Sequence, residues 1–125
     1  MAKKEITFSE AICRAIKEEM EKNEDIFTYG EDIAEQGGIF GQYKDLIGEF
    51  DDRVIDTPIS EEVIYGSAVG AALAGTRPIV EFHFADFLFT GMTAITNQIM
   101  KIRYMSGGQR DLPIILRGPD GRAQS

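Results

Sequence analysis

The residues best suited to chemistry lie between Asp56 and Glu62, in the segment Asp-Thr-Pro-Ile-Ser-Glu-Glu. Pro58 favours a turn, and Ser60 is a favourable N-cap, so the two glutamates are expected in the first turn of a helix. Carboxylates there could exchange protons with a ligand, since open α/β sheets bind ligands where a strand ends and a helix begins. The local pattern alone favours a simpler interpretation, two acids at a solvated helix end.

Other candidate groups lie on, or directly after, two other predicted strands. Glu31 and Asp32 come after Gly30 at a strand end, although two exposed loop acids are the simpler interpretation of that spacing. His83 is the only histidine, and a lone histidine is more often structural than catalytic. Phe87 belongs to a run too aromatic for an exposed loop, so we expect its ring to face a core, a partner or a flat ligand.

Alternating helices and strands would position these residues. The predicted helices span residues 8–22, 43–50, 61–75 and 90–105, and the predicted strands span 26–29, 53–55, 79–84 and 112–116. Short, evenly apolar strands between helices indicate the α/β class, a mostly parallel sheet with helices on both faces. Glu81 lies inside an apolar strand and therefore needs a partner. The small residues of helix 61–75 predict its burial under the sheet or against a partner subunit, with close backbone approach at its glycines.

Length and composition limit the function classes. A chain of 125 residues forms at most one domain, and its net charge of −8 argues against nucleic acid as a partner. No apolar run reaches the roughly 18 residues that cross a membrane, and residues 1–6 are not expected to form a secretory signal. The single cysteine, Cys13, excludes an internal disulfide and is typical of a reducing compartment. Neither a nucleotide-binding glycine fingerprint nor zinc-ligand spacing is present in the sequence.

Several segments taken together resemble one family. They are residues 30–32, 56–61, 66–78, 81–87, 104–108 and 117–121. Their order and spacing are similar to the β subunit of the thiamine-diphosphate-dependent decarboxylase component of 2-oxo acid dehydrogenase complexes, with pyruvate dehydrogenase as the nearest member. The family's subunit is more than twice as long. The resemblance therefore implies that residues 1–125 are a partial, truncated transketolase-like pyrimidine-binding domain, without the C-terminal domain of the family.

The resemblance also implies roles for individual residues. Glu61 would be the catalytic carboxyl that contacts the aminopyrimidine of thiamine diphosphate and promotes loss of the thiazolium proton. Phe87 would pack against the pyrimidine, and Glu31 would support a hydrogen-bond path beside it. The backbone carbonyl of Ile114 would be one ligand of a structural potassium ion. The family's active-site histidine, in a His-Ser-Gln element, has no counterpart here, and His83 on its predicted strand does not replace it.

The partners and activity implied by the resemblance are those of a multienzyme complex. An α subunit would bind the diphosphate and magnesium, a second β subunit would complete the heterotetramer, and a lipoyl acyltransferase would accept the acyl group from a 2-oxo acid. The chain alone is expected to be inactive, and its location is expected to be a prokaryotic cytoplasm or the mitochondrial matrix. Acetoin or branched-chain dehydrogenases and a non-catalytic interaction module are the alternatives. A response-regulator-like domain is disfavoured, because the acidic pair after its first strand is lacking in the needed context and so is a downstream lysine.

Overall fold

Four strands form one parallel sheet in a computed structural model that describes residues 5–121. The strands are β1 (Ile26–Gly30), β2 (Val54–Asp56), β3 (Arg77–Glu81) and β4 (Ile115–Arg117), and their order in the sheet is β2-β1-β3-β4. All three pairings are parallel, so the carboxyl ends of the strands meet at one edge. Residues 1–4, for which no secretory signal is expected, lie outside the described part.

Two helices cover opposite faces of the sheet, which confirms the predicted α/β class. Helix α1 (Phe8–Lys22) has the predicted bounds, and a capping box between Thr7 and Glu10 begins it. Helix α2 (Glu61–Leu73) covers the other face. Neighbouring β3 residues point to the two faces, since side chains alternate along a strand. The core on the α1 side includes Cys13, Ile16, Met20, Val54 and Ile79, and the core on the α2 side includes Tyr29, Ile64, Tyr65, Ala68 and Val80.

The burial predicted for α2 is correct for only one of its faces. Its apolar residues Ile64, Tyr65 and Ala68 are buried against the sheet. A Cβ atom added at Gly66 or Gly70 would have no atom of the described residues within 4 Å. Within this chain, therefore, the close backbone approach expected at these glycines does not occur.

The helix predicted over residues 43–50 is wrong, because these residues form successive turns. Gly48 has φ of 79°, a left-handed conformation that ends any helical run. Tyr43 and Leu46 nevertheless have no exposed surface, and they complete the core beside α1. The apolar spacing thus indicated burial correctly and secondary structure incorrectly.

The strand predicted over residues 112–116 is displaced and less buried than expected. Pro113 has no N–H to donate, and the Ile114 N–H donates to the carbonyl of Leu112, so the ladder begins only at Ile115. β4 is an edge strand, and its Ile115 is 54% exposed. The preceding strand was predicted to reach residue 84 but ends at Glu81, and a 3₁₀ turn over Ala85–Gly91 follows.

The helix predicted over residues 90–105 is broken into short pieces. They are α3 (Met92–Ala94), a π-helical turn (Ile95–Ile99) and α4 (Ile102–Met105). The Thr96 hydroxyl donates to the carbonyl of Met92, a side-chain contact that competes with regular helical bonding. The apolar residues at helical spacing, 92, 95, 99 and 102, are half-buried, whereas Met105 is 74% exposed.

Glu81 was expected to need a partner, and three hydrogen-bond donors surround its carboxyl group. Arg117 Nη1 and the Tyr43 hydroxyl donate to Oε2, and the Gln42 amide donates to Oε1 at 3.0 Å. Burial raises the pKa of Glu81, while the charge of Arg117 and the Tyr43 hydrogen bond act in the opposite direction. This cluster joins β3, β4 and the loop after β1, and it is why a buried carboxyl group is tolerated at the end of β3.

Arg117→Met is expected to lower the free energy of unfolding by about 2 kcal/mol at neutral pH, since it removes a charged hydrogen-bond donor and leaves the buried charge of Glu81 without its cation. Protonation of Glu81 at low pH removes that uncompensated charge, so the difference from the original chain should shrink as the pH falls. Urea unfolding at pH 7 and pH 4.5 measures both effects. The control is Arg103→Met, because Arg103 pairs with Asp111 at the exposed surface and should change stability by less than about 0.5 kcal/mol. Equal losses for both variants would contradict this account of Glu81.

Candidate functional site at the carboxyl edge of the sheet

The loop after β1 and the turn after β2 are joined by backbone and side-chain hydrogen bonds. The Thr57 N–H donates to the carbonyl of Gly30 at 2.9 Å. The Asp56 carboxylate accepts the N–H groups of Ala34 and Glu35 at 2.7 and 2.9 Å. Asp56 therefore holds the loop that carries Glu31 against the end of β2. The sequence argument placed Asp56 in the key segment without assigning it this role; its position directly after an apolar strand was the available signal.

Glu61 begins α2, as predicted, and is partly buried, whereas Glu62 beside it is exposed. The expected N-cap is only half correct. Ser60 occupies the N-cap position, and its carbonyl accepts the Ile64 N–H at 2.9 Å, but its side chain makes no capping hydrogen bond. With φ of −166° and ψ of 80°, Ser60 lies outside the usual capping conformation, in which the hydroxyl reaches the first-turn amides. The dipole of α2 is instead complemented by its two first-turn carboxylates.

Tyr65 connects the other members of the site and was missed in the sequence. It lies one helical turn after Glu61 and has no exposed surface. Its hydroxyl donates to the carbonyl of Phe87 at 3.4 Å, and its ring makes an edge contact with Phe82. Burial raises the pKa of Tyr65, and the negative charges of Glu61 and then Glu31 raise it further. Both carboxyl groups thus lie within electrostatic range of one neutral phenol.

Glu31 is a buried residue, so interpreting it as an exposed loop acid was wrong. Only 5% of its surface is exposed, and its Oε2 atom lies 2.8 Å from His83 Nδ1. The Asp32 carboxylate lies 3.6 Å from the other ring nitrogen of His83 and is about half exposed. Two buried oxygens at this edge, Glu31 Oε1 and Thr57 Oγ1, have no hydrogen-bond partner within residues 5–121. They are available to polar groups of a ligand.

Phe87 presents a partly open aromatic face. It lies in the 3₁₀ turn after β3, is 40% exposed, and makes an edge contact with Phe84 at 6.1 Å between centroids. Its carbonyl accepts hydrogen bonds from Tyr65 and from the Thr90 hydroxyl, which fix the backbone that carries the ring. Phe89 is 74% exposed, so these aromatics do not form a core. A partner or a flat ligand remains the explanation for this surface.

Ile114 is not part of this group. It directly precedes β4 and therefore lies at the amino edge of the sheet, opposite the carboxyl groups. It borders an apolar groove of about 440 Å³ that also includes Ile16, Pro78 and Ile79.

Among residues 5–121 there is no cluster of three or more side chains suited to a metal ion, and none of the helices formed by these residues could cross a membrane.

Comparisons with known proteins identify the family of the chain. The family model for the transketolase pyrimidine binding domain matches residues 4–124. The pyruvate dehydrogenase E1 component subunit beta of Rhizobium meliloti is 46% identical over 119 residues, which cover 94% of this chain and 26% of that protein. The mitochondrial subunit of the same name from Bos taurus is 42% identical, with 94% and 33% covered.

A relative with a different name is similar to nearly the same degree. The 2-oxoisovalerate dehydrogenase subunit beta of Bacillus subtilis is 41% identical over 117 residues, which cover 93% of this chain and 36% of that protein. The chain therefore spans about a quarter to a third of the length of these relatives. The resemblance inferred from the spaced motifs is confirmed. By the match over nearly all of its residues, and by its parallel α/β fold, this chain belongs to the transketolase pyrimidine-binding domain family.

Proposed function

We propose that this chain is the pyrimidine-binding region of the β subunit of a 2-oxo acid dehydrogenase, with pyruvate dehydrogenase as the first candidate. The observation that carries the proposal is the position of Glu61. It is a partly buried carboxyl group on the first turn of α2, and Tyr65 links it to the open aromatic face of Phe87 and to the buried Glu31. A carboxyl group beside an open aromatic face suits acid–base chemistry on a flat, nitrogen-containing ring.

The residues at this edge suit an aminopyrimidine. Phe87 offers a flat apolar surface, Glu61 offers a carboxyl group to a ring nitrogen, and the free oxygens of Glu31 and Thr57 can bond amino groups. The same edge suits a diphosphate poorly, because the side chains there are mostly acidic. This supports the assignment of the diphosphate and magnesium to a partner α subunit. A potassium ion at the Ile114 carbonyl would be structural and remote from the chemistry.

Each residue of the candidate site then has a defined role. Thiamine diphosphate, when bound, supplies the electron sink for loss of carbon dioxide from a 2-oxo acid. Glu61 would hold the carboxyl proton that a pyrimidine ring nitrogen needs, and would exchange it with that nitrogen. Phe87 would orient the ring, and Tyr65 fixes the backbone that carries Phe87 through the hydrogen bond from its hydroxyl to the Phe87 carbonyl. Glu31 accepts a hydrogen bond at the buried side of the site.

The exposed face of α2 is suited to contact with a partner subunit. Gly66 and Gly70 leave space on this face, so the backbone of an α subunit or a second β subunit could approach α2 closely. A lipoyl acyltransferase would receive the acyl group in the assembled complex. Because the named relatives include bacterial and mitochondrial proteins, we place the complex in a bacterial cytoplasm or a mitochondrial matrix.

Reconstitution tests this function and separates its alternatives. The chain, and a form extended to the length of the relatives, are each mixed with an α subunit, thiamine diphosphate and magnesium. Carbon dioxide release is measured with pyruvate and with 2-oxoisovalerate, and electron-acceptor reduction is measured with acetoin. We expect turnover of pyruvate by the extended form only. Faster turnover of 2-oxoisovalerate or acetoin would reassign the substrate, and binding of the α subunit without turnover of any substrate would support a non-catalytic interaction module.

A further inference from the structure

The single histidine of the chain is held between two acidic residues of the candidate site. His83 Nδ1 lies 2.8 Å from Glu31 Oε2, and Nε2 lies 3.6 Å from Asp32 Oδ2. The His83 side chain is 19% exposed, and that of Glu31 is 3% exposed. The ring nitrogen that faces Glu31 can donate to it in the tautomer that carries its proton on Nδ1. In that tautomer the short contact is a hydrogen bond from His83 to Glu31.

The second oxygen of Glu31 has no partner. Oε1 is buried and receives no hydrogen bond from any residue of the described part of the chain. A buried carboxylate oxygen left unbonded is costly, so it is a natural acceptor for an N–H group from outside the chain. Thr57 Oγ1, after β2 at the same edge of the sheet, is unbonded in the same way. Two polar atoms thus lack partners at the carboxyl edge of the sheet.

We propose that His83 is a positioning residue, whose Nδ1–H group fixes the Glu31 carboxylate so that Oε1 accepts an N–H donor from the ligand. The ligand class is a heterocycle with an exocyclic amino group, such as an aminopyrimidine. This inference rests on the proposed function and adds a determinant of binding to it. His83 acts only through Glu31 and transfers no proton to the reacting atoms. Its role is to hold one acceptor in place.

The test compares His83→Asn with His83→Leu in the 125-residue chain, expressed without a histidine tag. Asparagine can place an N–H donor near the position of Nδ1, whereas leucine has a similar bulk and no donor. Binding of 4-amino-2-methylpyrimidine is followed by NMR titration. We expect the Asn variant to bind within about twofold of the original chain and the Leu variant to bind about tenfold more weakly. Equal binding by the Leu variant and the original chain would overturn the proposal.

A second measurement does not depend on either variant folding. Because the chain has one histidine, its imidazole gives a single set of long-range ¹H–¹⁵N signals. These signals report directly which ring nitrogen is protonated. A protonated Nδ1 is expected, and an Nδ1 that lacks a proton would overturn the proposal.

A third variant separates this inference from the proposed function. If Glu61→Ala abolishes binding while His83→Leu does not weaken it, the proposed function stands and the role of His83 fails. If His83→Leu weakens binding while Glu61→Ala does not, the role of His83 stands and the assignment of Glu61 fails. Absence of binding by the original chain would overturn the role of His83, whereas the proposed function is decided by the reconstitution.

Discussion

Glu61→Gln is expected to lower the decarboxylation rate of the reconstituted, extended protein at least about 100-fold, the usual contribution of a general acid–base group. Glutamine keeps the size of the side chain and can still hydrogen-bond a ring nitrogen, so cofactor binding should change little. It cannot exchange a proton at that nitrogen, so the loss should fall on kcat. Initial rates at saturating thiamine diphosphate and substrate measure this effect.

Glu62→Gln is the matched control for this prediction. Glu62 lies in the same first turn of α2 but is exposed, so its replacement should change the rate by less than about twofold. Both variants remove one negative charge from the same helix end, and any general effect on the helix dipole is therefore shared. If Glu61→Gln kept more than about a tenth of the original rate, acid–base catalysis by this carboxyl group would be excluded.

Gly91→Ala is expected to lower the free energy of unfolding by about 3 kcal/mol, at the upper end of the cost of overpacking. The added Cβ would lie within 2.1 Å of Tyr65 Cδ2 and 3.0 Å of the Glu61 carbonyl oxygen. Tyr65 has no exposed surface, so its ring has no free space into which to move. Gly91 has φ of −108°, which alanine adopts freely, so the cost is steric. Urea unfolding monitored by circular dichroism measures it.

Gly70→Ala separates this steric cost from a general effect of adding a methyl group. Nothing in the described chain lies within 4 Å of a Cβ at Gly70, which is inside α2, so alanine should stabilise the chain by up to about 1 kcal/mol. Opposite signs for the two variants are therefore predicted. A stability loss below about 0.5 kcal/mol for Gly91→Ala would show that Tyr65 is not held tightly against the site.

Local signals predicted some elements well. The bounds of α1 follow from Thr7, Glu10 and a helical repeat of apolar residues, all of which act within a few residues of one another. The helix predicted over residues 43–50 failed because the left-handed Gly48 and burial against α1 decide that segment. The split of the helix predicted over residues 90–105 depends on backbone bonding that apolar spacing does not report.

The site was predictable only in part, because its contacts join distant segments. Glu61 could be placed at a helix start from its neighbours alone. The burial of Glu31 depends on His83, 52 residues later in the chain, and spacing around Glu31 gives no sign of it. Tyr65 likewise gains its role through the carbonyl of Phe87. Its distance of four residues from Glu61 was the one signal that could have identified it.

The most direct test of the central claim is the protonation of the cofactor's pyrimidine ring beside Glu61. Thiamine diphosphate labelled with ¹⁵N in this ring is bound to the reconstituted protein, and the ring-nitrogen chemical shifts are compared with those of the free cofactor. We predict that one ring nitrogen shifts to the value of a protonated or strongly hydrogen-bonded ring, and that Glu61→Gln reduces this shift. A shift of the same size in the Glu61→Gln variant would contradict the assignment of Glu61.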